Sequence, residues 1–214
     1  MGQPWGTFSG RDHAIVLGVP GSGKTTLARQ LASEARRCVI IDPTGDYEGE
    51  GEPVTAAELD ESPELLRGRW VRLVVGVGDG QESPADDVLG VLVAVRAGAA
   101  RHGGILLVAD EVGDYRQGAE LALARLHRNG HHDGVASLLV SQCATDIPLT
   151  CRRTATAVYS LLQTNSDDLA ALEREYGTDF ARRVAAWRPG EPPVSWRLPT
   201  LAARAQGAHH AEHP

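Results

Sequence analysis

Three observations in the 214-residue sequence predict an α/β fold with a mostly parallel central sheet and helices on both faces. Short apolar runs at 14–17, 38–41, 70–75, 105–109, 135–140 and 156–162 alternate with longer segments of helical period. That alternation is the mark of strands buried on both faces by crossover helices. The first run leads directly into Gly18-Val19-Pro20-Gly21-Ser22-Gly23-Lys24-Thr25, which fits the pattern G-x-x-x-x-G-K-[ST] without a mismatch, and then into a helix. The run at 105–109 delivers Asp110-Glu111 at its carboxyl end.

The glycine-rich loop has the composition of a phosphate cradle. Its glycines let backbone N–H groups turn inward around a β-phosphate, with the positive end of the following helix dipole behind them. Gly18, Val19, Pro20, Gly21, Ser22, Gly23, Lys24, Thr25 and Thr26 are thus assigned to a nucleoside triphosphate. Lys24 would reach the β- and γ-phosphates, and the Thr25 hydroxyl would ligate Mg²⁺. Lys24 is also the only lysine among 21 basic residues, in a chain that otherwise uses arginine. A compact ammonium is what fits between phosphates.

The elements follow in order. Residues 1–12, with Trp5 and Phe8, read as an irregular lead-in to a domain spanning 13–200. In the helix after the loop, Leu27 and Leu31 share a face flanked by Ala28, Ala32 and Ala35, while Arg29, Gln30, Ser33 and Arg36 point to solvent. Cys38–Asp42 reads as a buried strand ending in the turn Asp42-Pro43-Thr44-Gly45-Asp46-Tyr47. From Glu48 to about Glu64 an acidic surface excursion is expected, with one short helix from Thr55. Trp70–Val75 is the third strand. Ser83-Pro84-Ala85-Asp86-Asp87 starts a helix that runs to about Arg101 with Val88, Leu92 and Val95 inward and stops at Gly103-Gly104.

Four apolar residues followed by Asp110 and Glu111 form a Walker B pattern: Asp110 would hold Mg²⁺ and Glu111 would take a proton from an attacking water. A helix is expected over 117–127, ended by Asn129-Gly130. The strand Val135–Val140 then ends in Ser141-Gln142, where Gln142 is placed to orient the water. Asp146-Ile147-Pro148 opens a loop holding Cys151-Arg152-Arg153, and Thr156–Leu162 is the fifth core strand. Ser166-Asp167-Asp168 caps a helix with Leu169, Leu172 and Tyr176 on one face. A last helix over Thr178–Trp187, an edge strand over Val194–Leu198 and a disordered tail over 201–214 complete the reading.

Composition narrows the function. With 21 basic against 28 acidic residues the formal charge is −7, which excludes nucleic-acid binding by a broad basic surface; any DNA contact is local. Three cysteines, Cys38, Cys143 and Cys151, fit small core residues in a reducing compartment, and a cytoplasmic location is expected. No apolar run approaches the length of a membrane span.

The order of phosphate loop, strand ending in Asp42–Tyr47, further strand, Asp110-Glu111, Arg- and His-rich turn, strand and Gln142 resembles the HerA/FtsK class of DNA-pumping ATPases over about residues 13–176. Arg128-Asn129-Gly130-His131-His132-Asp133-Gly134-Val135 through Ser141-Gln142 is similar to the class's "gRh-x-G … sQ" stretch. The resemblance implies an additional-strand, RecA-like P-loop NTPase fold with a five-strand core and the Walker B strand next to the phosphate-loop strand. It also implies a homo-oligomeric ring, a hexamer or similar, with ATP at subunit interfaces and double-stranded DNA in the channel. An arginine from one subunit would stabilise the γ-phosphate charge in its neighbour. Where the class has arginine before the His-Gly turn this chain has Gly130-His131, which points to Arg128, with Arg152 or Arg153 as reserves. A stripped ATPase core looks like the genome-packaging ATPases of membrane-containing double-stranded DNA phages, with capsid vertex or portal proteins as partners. A cellular or plasmid translocase of the same class, a small-molecule kinase and a nucleotide-dependent switch stay open as alternatives.

Overall fold

The computed structural model describes residues 12–77, 84–115 and 118–198. The lead-in with Trp5 and Phe8, the capping Ser83 and the tail from 201 lie outside the described residues. Each strand of the middle of the sheet is short and apolar on both sides, so only a position covered above and below satisfies it. Strand β1 (His13–Leu17), β2 (Arg37–Asp42), β5 (Ile105–Ala109) and β6 (Val135–Ser141) are buried along their whole length. Strand β3 (Glu52–Thr55), β4 (Val71–Gly76), β7 (Ala157–Ser160) and β8 (Val194–Arg197) flank them.

Among the described residues the eight strands lie in the order β3-β4-β2-β5-β6-β1-β7-β8, all parallel except β8, which runs antiparallel to β7. The Walker B strand β5 is therefore not beside the phosphate-loop strand β1, as the family resemblance implied, because β6 lies between and pairs with both. That inserted strand brings Gln142 between the two halves of the site.

Alternation along the strands splits the core in two. Ile15, Leu17, Val39, Ile41, Leu107 and Ala109 face helix α3 (Pro84–His102) and α4 (Gly118–Asp133). Ala14, Val16, Ile40, Leu106 and Val108 face α1 (Lys24–Ser33), whose Leu27, Ala28, Leu31 and Ala32 are buried as their spacing predicts. Each fully buried Leu, Ile or Val side chain contributes ~1.5–3 kcal/mol, so these two layers carry most of the fold.

Four local expectations change. The acidic excursion contains an edge strand, β3, before α2 (Ala56–Glu61). That short helix starts where expected, with Thr55 and Glu58 forming a reciprocal capping box. Helix α4 does not stop at Asn129-Gly130; it continues to Asp133, and Gly134, at φ +78°, ends it. Gly130 sits inside the helix because a Cβ there would come within 2.8 Å of the Val135 carbonyl oxygen. The segment holding Cys151, Arg152 and Arg153 is a short helix, α5 (Leu149–Thr154), not a loop. Helix α6 (Ser166–Tyr176) is capped by Asn165, whose side chain accepts from the Asp167 amide, while Asp168 is fully buried. Helix α7 (Thr178–Ala186) packs Phe180 edge-on against Tyr176.

Candidate active site

The site lies at the carboxyl ends of β1, β5, β6 and β7, where parallel strands leave their loops free to converge. The phosphate loop is anchored from below by two backbone bonds: Gly18 N–H donates to the Ser141 carbonyl at 3.3 Å and Val19 N–H to the Leu162 carbonyl at 3.1 Å. Gly21 and Gly23 take φ values of 74° and 96°, a conformation open to glycine without a Cβ penalty, and they bend the chain into the start of α1. Gly18 has no room for a side chain, since a Cβ would meet Ser22 Oγ at 2.3 Å. Thr25 and Thr26 follow Lys24 in the first turn, with Thr26 exposed and Pro20 on the outer rim.

Lys24, Glu111 and Gln142, read from three separate stretches of sequence, come together. Lys24 Nζ lies 2.9 Å from Glu111 Oε1, and Gln142 Nε2 donates to the same oxygen at 3.1 Å. Both partners of the ion pair are about nine-tenths buried, with side chains 11% and 13% exposed. Glu111 holds this position at φ 46°, ψ 50°, the one non-glycine residue with positive φ among the described residues. A left-handed glutamate costs on the order of 1 kcal/mol, and such strain gathers where a side chain must be aimed. The Glu111 amide in turn donates to Asp110 Oδ1 at 2.8 Å.

Asp110 is almost wholly buried, and loss of water pushes its carboxyl up to about 6; the Glu111 amide, Tyr47 and Lys24 oppose that rise. No ion pair to it forms among the described residues. A buried carboxylate beside a threonine hydroxyl and a phosphate loop is an oxygen donor set suited to Mg²⁺, which would supply the compensating charge. Asp110 and Thr25 are the residues that would hold it.

Sequence reasoning missed the support behind this cluster. Gln163, 1% exposed just past β7, donates its Nε2 to the Gln142 carbonyl at 2.8 Å and fixes the backbone that carries Gln142. Asp168 Oδ1 accepts from the Thr145 amide and hydroxyl at 2.8 and 2.9 Å, pinning the next turn of that loop. A polar residue at the end of a core strand was the available signal for Gln163, the same one that marked Gln142. Asp42 is not a metal ligand here: its Oδ1 accepts from the amides of Thr44, Gly45 and Asp46 and its Oδ2 from that of Tyr47.

The arginines part company. Arg152 is buried beneath Tyr176, whose hydroxyl donates to its carbonyl at 2.8 Å, and Arg153 pairs with Glu175 at 3.3 Å. Arg128 is exposed on α4, two residues before Gly130, which packs against Val135 and His13 at the amino end of the sheet. The five residues of β1 separate that end from the loop by roughly 16 Å, so Arg128 cannot serve the Lys24 of its own chain. Arg116, a candidate DNA contact, lies outside the described residues.

This arrangement has counterparts among solved structures. The genome packaging NTPase B204 from Sulfolobus turreted icosahedral virus 2, in complex with AMP, superposes with a TM-score of 0.70 at 16% identity, over 89% of this chain and 94% of that one. The fold is that of the additional-strand P-loop ATPases. VirB4 of Thermoanaerobacter pseudethanolicus matches that fold at TM-score 0.61 and 12% identity, over 88% and 89% of the two chains. The pCW3 conjugation coupling protein TcpA with ATPγS matches at TM-score 0.51 and 15% identity, over 88% of this chain and 60% of its own. No protein-family model and no curated protein sequence matches the chain. An additional-strand P-loop ATPase fold accounts for β6 between β1 and β5, and so for the position of Gln142.

Proposed function

We propose that this chain hydrolyses ATP and uses the energy to translocate double-stranded DNA, packaging a viral genome into a procapsid. The observation that carries the reading is Glu111, held in a strained conformation with Lys24 and Gln142 on one of its oxygens. A protein that only bound nucleotide, or passed phosphate to a small hydroxyl, would have no use for a carboxylate so placed. Glu111 takes the proton of the attacking water, Gln142 orients that water, and Lys24 and the loop amides Gly18–Thr25 carry the phosphate charge. Mg²⁺, when bound, neutralises charge on the β- and γ-phosphates. In this reading the protein works as a homo-oligomeric ring, hexameric or similar, in the cytoplasm, docked on a capsid vertex. Arg128 reaches the nucleotide of the adjacent subunit, which its distance from its own loop requires.

The DNA half of the proposal is supported by the likeness to B204, described as a DNA-packaging ATPase, and to a conjugation coupling protein. The membrane plays no part in the argument; no helix among the described residues is long and apolar enough to cross one. The test is the rate of ATP hydrolysis with and without long double-stranded DNA at low salt. Stimulation that falls as salt rises supports a DNA-coupled motor. Turnover indifferent to DNA, or phosphate appearing on a small acceptor, refutes it in favour of a kinase.

A further inference from the structure

The mechanism leaves two buried phenols unused beside the metal carboxylate. Asp42 and Asp110 end adjacent strands, with the Asp110 amide donating to the Ile41 carbonyl at 3.2 Å. The four amides gathered by Asp42 wind residues 43–47 into a tight turn that drives Tyr47 inward until it is 0% exposed, in the core layer on the α1 face. Its hydroxyl faces the Asp110 carboxylate and stabilises its charge, without closing a hydrogen bond of standard geometry. Tyr115, 6% exposed, belongs to the core layer on the opposite face, and after burial the Asp110 charge is the strongest influence on its hydroxyl. That hydroxyl too is buried without a hydrogen-bond partner among the described residues.

Burying an unbonded hydroxyl costs about 1–3 kcal/mol, and phenylalanine would fill the same volume without that cost. Two such hydroxyls converging on one carboxylate need a common reason. We propose that Tyr47 and Tyr115 are positioning residues for Asp110: from opposite faces of the sheet their hydroxyls fix the carboxylate in the orientation that takes a divalent cation. Because Tyr47 is the last residue of the Asp42 turn, the same contact ties the metal site to the loop 43–48. That loop forms one wall of an open cleft of about 570 Å³ lined by Thr44, Glu48, Thr55 and Glu58. A partner displacing the loop would then act on Asp110 through one side chain. The inference rests on the reading of Asp110 as metal ligand.

The test uses the full chain as wild type, Tyr47→Phe and Tyr115→Phe. Mn²⁺ binding is followed by electron paramagnetic resonance with a non-hydrolysable ATP analogue, and affinity for the same analogue is measured separately in EDTA. Tyr47→Phe is expected to weaken Mn²⁺ binding about tenfold, as loss of an outer-sphere partner does, with Tyr115→Phe in the same direction and metal-free nucleotide affinity unchanged. Mn²⁺ affinity within about twofold of wild type in both variants would overturn the inference while leaving the metal site intact. Parallel loss of metal-free nucleotide affinity would also overturn it, by showing that the hydroxyls only support the fold. Absence of Mn²⁺ binding by the wild type would remove the metal-site reading itself and the inference with it.

Discussion

Replacing Glu111 with glutamine separates the proton acceptor from everything else the residue does. The amide has the same shape, so the 3.1 Å contact with Gln142 and the backbone turn at Glu111 can persist. What disappears is the charge. A positioned general base is worth ~10²–10⁴ in rate, or roughly 2.7–5.4 kcal/mol at about 1.36 kcal/mol per factor of ten. Binding moves the other way. Lys24 must leave its 2.9 Å pair with Glu111 to reach a phosphate. A partly screened pair of this kind costs about 1 kcal/mol to separate, so Glu111→Gln is expected to hold ATP as tightly as wild type or up to about fivefold tighter. Phosphate release in single turnover gives the rate, and titration with a fluorescent ATP analogue gives the affinity. Turnover within about threefold of wild type would remove Glu111 as the base. A loss of affinity matching the loss of rate would show that it serves only as counter-ion to Lys24.

Three further outcomes follow from particular contacts. Gly130→Ala should destabilise the protein by about 1–3 kcal/mol in urea unfolding, because a Cβ 2.8 Å from the Val135 carbonyl outweighs the ~1 kcal/mol that alanine gains over glycine within a helix; a stabilised variant would contradict the packing. His127 is fully buried, its Nδ1 2.7 Å from Ser137 Oγ, and burial followed by the charge of His13 holds its imidazole down to about 3. Its contribution is complete above the unfolded value near 6.5 and is lost as pH falls from there towards 3. Folding stability should therefore drop by several kcal/mol across that window, and His127→Gln should flatten the drop. Arg128→Ala subunits mixed with Glu111→Gln subunits should recover part of the ATPase rate at interfaces that pair an intact Arg128 with an intact Glu111. No recovery at any ratio would exclude action between subunits.

What the sequence made legible was whatever a residue decides from its own neighbours. The strands β1, β2, β5 and β6 announce themselves because four or more consecutive apolar residues can only be covered on both sides, and α1 because Leu27 and Leu31 repeat at helical spacing. Strand β3 does not, since Glu52-Pro53-Val54-Thr55 lies mostly exposed at the sheet edge and pairs on one side alone, with β4; nothing in its residues requires a strand. Gly130 was misread because glycine marks two different things, a helix end and a close approach of backbone, and only the distance to Val135 tells them apart. Helix α5, six residues long, is too short for periodicity to register. The strand order is not local at all: that β6 intrudes between β1 and β5 is decided by pairing across the sheet.

The same division runs through the site. The identities of Lys24, Asp110, Glu111 and Gln142 were readable because each sits at a strand end where polar residues otherwise have no place, but their joint geometry depends on residues whose roles are set by the fold. Gln163 holds the Gln142 carbonyl, Gln142 donates to Glu111, and Glu111 takes Lys24, so three polar contacts connect the end of β7 to the phosphate loop. Asp168, at the start of α6, fixes Thr145 two residues past Cys143 in the same loop. Every link in that chain is buried or half-buried, where an unmet donor or acceptor costs about 1–3 kcal/mol, so a shift at one link is passed on more cheaply than it is absorbed. Hydrolysis changes the charge facing Lys24, and that change reaches Gln163 and the β7–α6 edge along the contacts that position the water. A motor needs such a path from the phosphate to a surface that can push, and here it starts at the residue whose strain marks it as the centre of the site.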